Sequence, residues 1–363
     1  MFTNLLAIDI SLIWAKVWPI IVAIVFFGLI IGIHELGHFV SAKIFKVKVN
    51  EFSLGMGPAI FKKRKGETLY AVRCLPIGGF VSMEGEDEDS DDENAFSKKS
   101  WWKKFIIVAA GAIMNIILGF IFVIILTSME DLIGTTQIHS FYDSATSVNY
   151  GIQAGDVIEE INGTKIFSNR DISYCMARDD DGIYDFTVKR NGETLQIPNV
   201  KFERKTDADG NSTIIYDFII VGVEKTPLNV LSTSVKDTFS IARLVWLSLF
   251  DLVTGHYGLN DLSGPVGTVS IIANATSEAV SSGVGFDVIV YIMALISINV
   301  GVFNLLPIPA LDGGRLFFII IEAIRGKPVP TKYEGIIHAI GLALLLLLMV
   351  VITFNDIKNL IIN

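Results

Sequence analysis

Charged residues and cysteines are scarce in this chain. Only 18% of its 363 residues are charged, while 51% are hydrophobic, and the mean hydropathy is +0.54. This composition excludes an ordinary water-soluble protein and is typical of a membrane protein with room for one soluble domain. Neither Cys74 nor Cys175 has another cysteine near it, which excludes a cysteine-based metal site. No stretch combines basic and aromatic residues as a nucleic-acid surface would, so no nucleic-acid partner is predicted.

Four apolar runs are long enough to cross a bilayer. They lie at about 17–40, 105–127, 288–306 and 336–354, and each is close to the ~20 residues that a spanning helix needs. The first run could be confused with a signal peptide. It is too long for one and no basic segment precedes it, so we expect it to be retained.

The placement of lysine and arginine predicts the orientation of these spans. Basic residues concentrate between the first and second runs and between the third and fourth, so both connections should be cytoplasmic. The residues concerned are Lys43, Lys46, Lys48, Lys62, Lys63, Arg64, Lys65, Lys98, Lys99, Lys103, Lys104, Arg325, Lys327 and Lys332. Both termini and the 128–287 segment should then lie outside the cytoplasm. The two cysteines would face opposite sides of the membrane and could not pair.

The first apolar run contains His34-Glu35-Leu36-Gly37-His38. Helical positions four apart differ by only about 40°, so both imidazoles leave one face and can hold a divalent metal. Glu35 could take a proton from a water molecule bound to that metal, as in zinc hydrolases. A chance match is the alternative. Ionisable side chains deep in an apolar helix are costly, however, and usually face a functional interior.

The third apolar run ends in Asn304-Leu305-Leu306-Pro307-Ile308-Pro309-Ala310-Leu311-Asp312-Gly313-Gly314-Arg315. Two prolines and two glycines around an acid predict an interrupted helix. The backbone freed there needs hydrogen-bond partners, which Asn299 and Asn304 could supply. Two histidines leave a tetrahedral zinc ion one protein ligand short, and Asp312 is the best candidate. The alternative for Asp312 is a helix N-cap.

Several other polar residues receive weaker predictions. Arg315 is expected to pair with an acid or with a lipid phosphate. For Asn115, in the second apolar run, helix packing is the default role, and hydrogen bonding near the metal is the alternative. His139, His256 and His338 have no histidine or carboxylate at ligand spacing, and no functional role is predicted for them.

The segments between the apolar runs differ in character. Residues 47–82 alternate like a β-hairpin, which could dip toward the metal, and residues 84–94 form a strongly acidic run that predicts a solvated loop. Turn signals and short alternating segments predict a small β-rich domain at about 130–224. An amphipathic helix should follow, lying on the outer membrane surface or on the bundle rather than forming a fifth span. Its apolar face comprises Val235, Phe239, Leu244, Leu247 and Phe250.

The two motifs together resemble the site-2 proteases, more narrowly the RseP-type bacterial intramembrane zinc metalloproteases. The segment Leu262-Ser263-Gly264-Pro265-Val266-Gly267 is also similar to that group. Tyr150-Gly151-Ile152-Gln153-Ala154-Gly155-Asp156-Val157-Ile158, followed by Ile161-Asn162-Gly163, is similar to the signature of bacterial PDZ domains. Only one copy is visible, so the chain resembles the members that carry a single PDZ domain.

The resemblance implies a fold and a division of the chain. The fold class is a polytopic α-helical membrane protein with four transmembrane helices, a membrane-associated β-hairpin and an extracytoplasmic β-rich PDZ domain. The segments are the first transmembrane helix with the histidine motif (1–47), the cytoplasmic hairpin or re-entrant loop with the acidic loop (48–100), the second transmembrane helix (101–129), the PDZ domain (130–225), the amphipathic helix and a Gly/Ser-rich linker (226–287), the third transmembrane helix with the Asn304 to Asp312 motif (288–325), and the fourth transmembrane helix with the C-terminus (326–363).

The function implied is regulated intramembrane proteolysis at the bacterial cytoplasmic membrane. Zn²⁺ would be held by His34, His38 and Asp312 near the cytoplasmic side, with Glu35 as the catalytic base and Asn304 as a substrate-binding residue. The substrates would be single-span membrane proteins, such as anti-sigma factors or remnant signal peptides, already trimmed by a site-1-type protease. The chain would span the lipid bilayer. The PDZ domain, on the extracytoplasmic side, would filter substrates by size and could bind a peptide ligand.

A non-catalytic function is the alternative hypothesis at this point. The chain could be a membrane receptor whose PDZ domain captures peptides and whose metal site is structural. Glu35 discriminates between the two hypotheses, because a structural site has no need of an acid between its histidines.

Overall fold

A computed structural model describes residues 10–86, 88, 90–178, 181–206, 212–255, 267–268, 270 and 286–362. These ranges contain the helices α1 (Ile10–Ile44), α2 (Trp101–Met129), α3 (Asn169–Arg178), α4 (Pro227–Thr254), α5 (Phe286–Leu305), α6 (Asp312–Arg325) and α7 (Thr331–Ile362). The strands are β1 (Val49–Lys65), β2 (Thr68–Met83), β3 (Ile133–Phe141), β4 (Val157–Ile161), β5 (Thr164–Lys165), β6 (Ile183–Arg190), β7 (Glu193–Lys201), β8 (Arg204–Thr206), β9 (Ser212–Ile214) and β10 (Phe218–Val223). The chain divides into two compact units, Met1–Phe122 with Val245–Asn363, and Val123–Leu244.

Four of the described helices are long and apolar enough to cross a membrane, as predicted. The spanning stretches are Ile20–Ile44, Trp101–Met129, Phe286–Leu305 and Thr331–Lys358. The described part of α4 is not among them, which agrees with the prediction that it is no fifth span. The predicted interruption of the third segment is also confirmed, because residues 306–311 separate α5 from α6.

Small residues allow α2 to approach its neighbours closely. A Cβ atom on Gly37 of α1 would lie 2.4 Å from the backbone oxygen of Ala110. A Cβ atom on Gly119 would lie 2.4 Å from the Ile298 side chain of α5, and one on Gly301 would lie 2.8 Å from the Ala112 oxygen. The small positions of α2 therefore serve close helix packing, as the sequence predicted.

Strands β1 and β2 form a hairpin that folds back on itself. Residues 51–54 of β1 have partners in two parts of β2, residues 79–82 on one side and 69–72 on the other. Residues 79–83 are therefore at an edge, where no other strand of the described chain pairs with them. Side chains near the other end of the hairpin expose apolar surface, including Ile60 (73% exposed) and Phe61 (59% exposed).

The acidic run is more ordered than the predicted solvated loop. Lys48 forms ion pairs with Asp92 (2.9 Å) and Glu84 (3.6 Å), and Asn50 donates a hydrogen bond to Glu84 (3.0 Å). Hydrogen bonds from Ser90 and Asn50 hold the pKa of Glu84 below its usual value, and the hydrogen bond from Lys48 does the same for the pKa of Asp92. The run is solvated on its outer side but tied to the base of the hairpin on its inner side.

The second unit is built on a sheet with the strand order β10-β3-β4-β6-β7, with β5 paired to β4. The predicted turns are present: Asn162-Gly163 and Asn191-Gly192 have φ values of +47° and +73°, and +53° and +90°. Helix α3 packs on the sheet through Ile172 and Met176, next to Tyr184 and Phe186. The predicted β-rich domain therefore has its own core.

Charged residues of α4 face the β-rich domain. Asp237 is 1% exposed and pairs with Arg170 at 2.9 Å, and Arg243 pairs with Asp171 at 2.9 Å. The sequence pattern predicts an amphipathic helix here but not these ion pairs. Apolar side chains such as Val235 (54%) are exposed, as the predicted amphipathic face requires.

The two cysteines should react differently with a maleimide. Cys74 is exposed, whereas Cys175 is buried and burial raises the pKa of its thiol to about 11. Because only the thiolate is nucleophilic, native protein in detergent should be labelled at Cys74 and not at Cys175 at pH 7. Peptide mass spectrometry of labelled protein measures this. Denatured protein should be labelled at both, and equal native labelling would contradict the burial of Cys175.

Candidate metal centre

Helix α1 places His34 and His38 one turn apart on the same face. Their Nε2 atoms lie 3.2 Å from each other. Asp312 is the first residue of α6, and its Oδ2 atom lies 3.1 Å from His34 Nε2 and 3.2 Å from His38 Nε2. The structure thus brings the three predicted ligands together from two segments separated by more than 270 residues of sequence.

The triangle of ligand atoms fits a tetrahedral zinc ion. With zinc–ligand distances of about 2.0–2.1 Å, two ligand atoms in a tetrahedron are about 3.3 Å apart, close to the separations found here. Asp312 Oδ2 is buried and accepts no well-aligned hydrogen bond from the described residues. A cation between the three atoms would satisfy it. The donor set of two imidazoles and one carboxylate also leaves a fourth position open, as in catalytic zinc sites.

The outer nitrogen atoms of the histidines are held by α2. His38 Nδ1 lies 2.9 Å from the backbone oxygen of Ile107, so an N–H donated there leaves Nε2 free for a metal. Asn115 Nδ2 lies 3.2 Å from His34 Nδ1, and Asn115 is fully buried. Its Oδ1 atom has no partner among the described residues, and turning the amide over would let Oδ1 accept the Nδ1–H of His34. The default packing role predicted for Asn115 is therefore incomplete.

Two glycines leave the space that these side chains occupy. A Cβ atom on Gly111 of α2 would lie 2.3 Å from His38 Nε2. A Cβ atom on Gly79 of β2 would lie 2.9 Å from Glu35 Cγ. Neither contact is visible in the local sequence pattern, so the sequence alone assigns neither glycine to the site.

Asp312 does not act as an N-cap. The N-cap residue of α6 is Leu311, whose extended backbone precedes the helix, and no side chain caps it. Gly313 is required where α6 begins, because a Cβ atom there would lie 1.8 Å from the Leu306 oxygen. The interrupted chain therefore lies directly over the first turn of α6 and aims Asp312 at the histidines.

His338 of α7 supports this loop, a role that the sequence analysis missed. Its Nδ1 atom accepts a hydrogen bond from the Ala310 N–H at 2.9 Å. Ala310 has a φ of +75°, a conformation that non-glycine residues rarely adopt. Gly341, one turn further along α7, lies against the loop, since a Cβ atom there would be 2.3 Å from Pro309 Cβ. His338 is itself an ionisable side chain in an apolar helix, and such side chains are costly and usually face a functional interior.

The ligands open on a cavity of about 170 Å³ that Glu35 also lines. The end of β2 also lines the cavity, through Gly79, Phe80, Val81 and Met83. Asn304 does not line this cavity, so its substrate-binding role stays a prediction. His139 is exposed on β3, while His256 and most of the 262–267 motif lie outside the described residues.

Comparison with known proteins agrees with this geometry. The sequence profile of peptidase family M50 matches residues 22–348. A Clostridium acetobutylicum protein, provisionally named a zinc metalloprotease, is 37% identical over 93% of this chain and 97% of its own length. The "Regulator of sigma-W protease RasP" of Bacillus subtilis is 31% identical over 94% of this chain and 98% of its own. The "Zinc metalloprotease RasP" of Oceanobacillus iheyensis is 30% identical over 94% and 99%.

Gly111→Ala should weaken metal binding. The added methyl group would overlap His38 Nε2, and displacing a ligand ring costs roughly 10–100-fold in metal affinity. Zinc content after dialysis against graded chelator measures the change. Gly28→Ala is the matched control, because a Cβ atom on Gly28 meets nothing within 4 Å. Unchanged zinc affinity in Gly111→Ala would contradict the described fit.

His338→Ala should destabilise the protein by ~1–3 kcal/mol, the cost of leaving a backbone N–H without its partner. His338→Asn should lose much less, because the asparagine Oδ1 atom can take the place of Nδ1 and accept the Ala310 N–H. Thermal unfolding in detergent measures both. His139→Ala is a control at an exposed histidine. Equal losses in the alanine and asparagine variants at position 338 would show that the hydrogen bond does not matter.

Proposed function

Since the chain belongs to peptidase family M50, the zinc metalloproteases of the site-2 type, we propose that it hydrolyses peptide bonds within the transmembrane segments of single-span membrane proteins. In this proposal His34, His38 and Asp312 hold zinc and Glu35 is the general base. The observation that carries it is the convergence of three ligand atoms beside Glu35, in a cavity among apolar helices.

The residues of the cavity divide the chemistry among them. Zinc, when bound, supplies a Lewis acid that activates water and polarises the substrate carbonyl. Glu35 accepts the proton that the attacking water loses and delivers it to the amide nitrogen when the C–N bond breaks. Ile107 and Asn115 hold the imidazoles of His38 and His34 so that both Nε2 atoms face the cavity.

Residues 79–83 of β2 are suited to present the substrate. A helix hides its carbonyl groups in its own hydrogen bonds, so a transmembrane substrate must become extended before attack. The free edge at 79–83 borders the cavity and could pair with such a segment through main-chain hydrogen bonds. The exposed apolar side chains of the hairpin suit a position in the membrane. This supports the predicted re-entrant role of the hairpin.

The active site belongs, in this proposal, near the cytoplasmic face of the bacterial inner membrane. His38 is six residues before the end of α1 at Ile44, about 9 Å along the helix axis. Lys43, Lys46 and Lys48 follow directly, and such residues favour the cytoplasmic side. The β-rich domain, which lies between the second and third spans, is then extracytoplasmic.

The partners proposed are those of a two-step proteolytic cascade. A site-1-type protease would first remove the outer domain of an anti-sigma factor or similar single-span protein, or a signal peptidase would leave a remnant signal peptide. The β-rich domain, as a PDZ domain, would exclude uncut proteins by size. Support comes from the turn signature near Asn162-Gly163, which the structure places in this domain, and from the sigma-W regulator named among the relatives.

Glu35→Gln should retain one zinc ion and the wild-type melting temperature but abolish cleavage of a tagged single-span substrate. The amide has nearly the shape of the carboxylate but cannot accept the proton, and loss of a general base costs roughly 10²–10⁴-fold or more in rate. Metal content by mass spectrometry and product bands in detergent micelles measure the two properties together.

Glu67→Gln is the matched control, because Glu67 is an acid at the hairpin turn, half of its side chain is exposed, and its carboxylate pairs with Lys43 among the described residues. It should cleave like wild type. Turnover by metal-defined Glu35→Gln would contradict the proposed base. Zinc in wild type without cleavage of any of several substrates would instead favour the non-catalytic receptor.

A further inference from the structure

Two segments far apart in the chain line the same cavity. The end of β2 contributes Val81 and Met83, and α6 contributes Asp312 and Arg315. Arg315 is three residues after Asp312, so both side chains leave the same face of α6. The position of the 79–83 edge relative to Asp312 therefore depends on the contacts that connect β2 to α6.

Glu86 joins them. Arg315 Nη1 donates a hydrogen bond to Glu86 Oε1 in an ion pair. The other carboxylate oxygen of Glu86 accepts the backbone N–H of Met83, the last residue of β2, at 3.4 Å. The Glu86 side chain is only 12% exposed, so water screens this charged hydrogen bond little. One carboxylate thus connects the helix of Asp312 to the strand that borders the cavity.

Glu86 comes from a fixed turn rather than a loose loop. The N–H of Phe96 donates to the Glu84 oxygen at 2.7 Å, and the N–H of Ser97 donates to the Gly85 oxygen at 3.2 Å. Ser90 donates to the Glu84 side chain at 2.7 Å. Because the backbone directly before Glu86 is held, its carboxylate can transmit the position of the turn to α6.

The geometry of an extended substrate makes this connection consequential. Neighbouring residues of a strand are about 3.3 Å apart, and successive carbonyl groups point in opposite directions. A shift of a strand by one residue would turn the wrong carbonyl toward the metal. A shift by two residues restores the main-chain hydrogen bonds and offers a second carbonyl in the same direction. Loss of a fixed edge should therefore produce cuts two residues apart.

We propose that Glu86 and Arg315 are specificity-determining positioning residues, which fix the peptide bond of a strand-bound substrate that meets the metal. This inference rests on the proposed function, because it takes the 79–83 edge as the substrate-binding strand. It also gives the inner end of the acidic run a role.

The test maps cleavage sites by mass spectrometry with the full chain in detergent and one single-span substrate. Wild type should cut predominantly one bond. Arg315→Gln and Glu86→Gln should each raise cutting two residues away by roughly tenfold relative to the main product, the scale of losing one charged hydrogen bond. Zinc content should stay at one per chain. The double variant should be no worse than either single variant, because each residue acts through the other.

Glu322→Gln is the matched control. Glu322 also lies on α6 and forms an ion pair with Lys104 of α2 at 2.9 Å, but that pair does not reach β2. Its loss should lower the melting temperature and leave the cleaved bond unchanged. A general loosening of α6 would instead broaden the cut sites in Glu322→Gln as well, and that result would overturn the inference.

A second readout does not need turnover. In a chain that carries Glu35→Gln, Cys74→Ser, Cys175→Ser and Val81→Cys, the new thiol is cross-linked to substrates that carry single cysteines along the membrane segment. With Glu86 and Arg315 intact, cross-linking should favour one substrate position; with Arg315→Gln it should spread to positions two residues away. If wild type cuts one bond, and the variants cut only that bond and keep the single cross-link, the inference fails while the proposed function stands. If wild type cuts no membrane segment, both fail.

Discussion

Polar groups placed among apolar helices must satisfy one another, and this constraint shapes the helical unit. The Nε2 atoms of His34 and His38 and one carboxylate oxygen of Asp312 converge, so a cation would satisfy all three. The two histidines are in turn held from behind by α2. The loop before Asp312 exposes backbone that only protein can satisfy at membrane depth, and α7 supplies that partner through His338. Each polar group at the candidate metal site therefore depends on a hydrogen-bond partner that lies further from the site.

The ligands could be predicted from the sequence because each depends on a short local pattern. The spacing of His34 and His38 places both on one helical face, and the prolines before Asp312 predict an interrupted helix. Supporting contacts depend instead on which helices become neighbours. Asn115 contacts His34 and Gly111 accommodates His38 only because α1 and α2 pack closely. Nothing in the pattern around either residue specifies that packing.

The fold likewise divides into features that local sequence predicts and contacts that it does not. Four spans, the hairpin and the turns of the β-rich domain follow from hydropathy, alternation and Asn-Gly pairs, which are properties of single segments. The surroundings of charged side chains do not follow from such properties. The predicted solvated run is tied to Lys48 on one side, and Asp237 is buried against Arg170 rather than turned to water. The sequence around an acidic residue does not specify whether its carboxylate faces water or pairs with an arginine from elsewhere in the chain.

The proposed cleavage at a defined bond would need the candidate metal ligands and the proposed substrate strand to keep a constant separation, yet they belong to different segments. The ligands lie on α1 and α6, whereas the edge at 79–83 belongs to the hairpin. Close packing of Gly79 on Glu35 fixes the hairpin against α1, and the Glu86 carboxylate fixes it against α6. A single contact would leave the strand free to pivot about it. Two contacts, one to each helix that carries candidate ligands, remove that freedom, so the strand can keep a constant position relative to His34, His38 and Asp312.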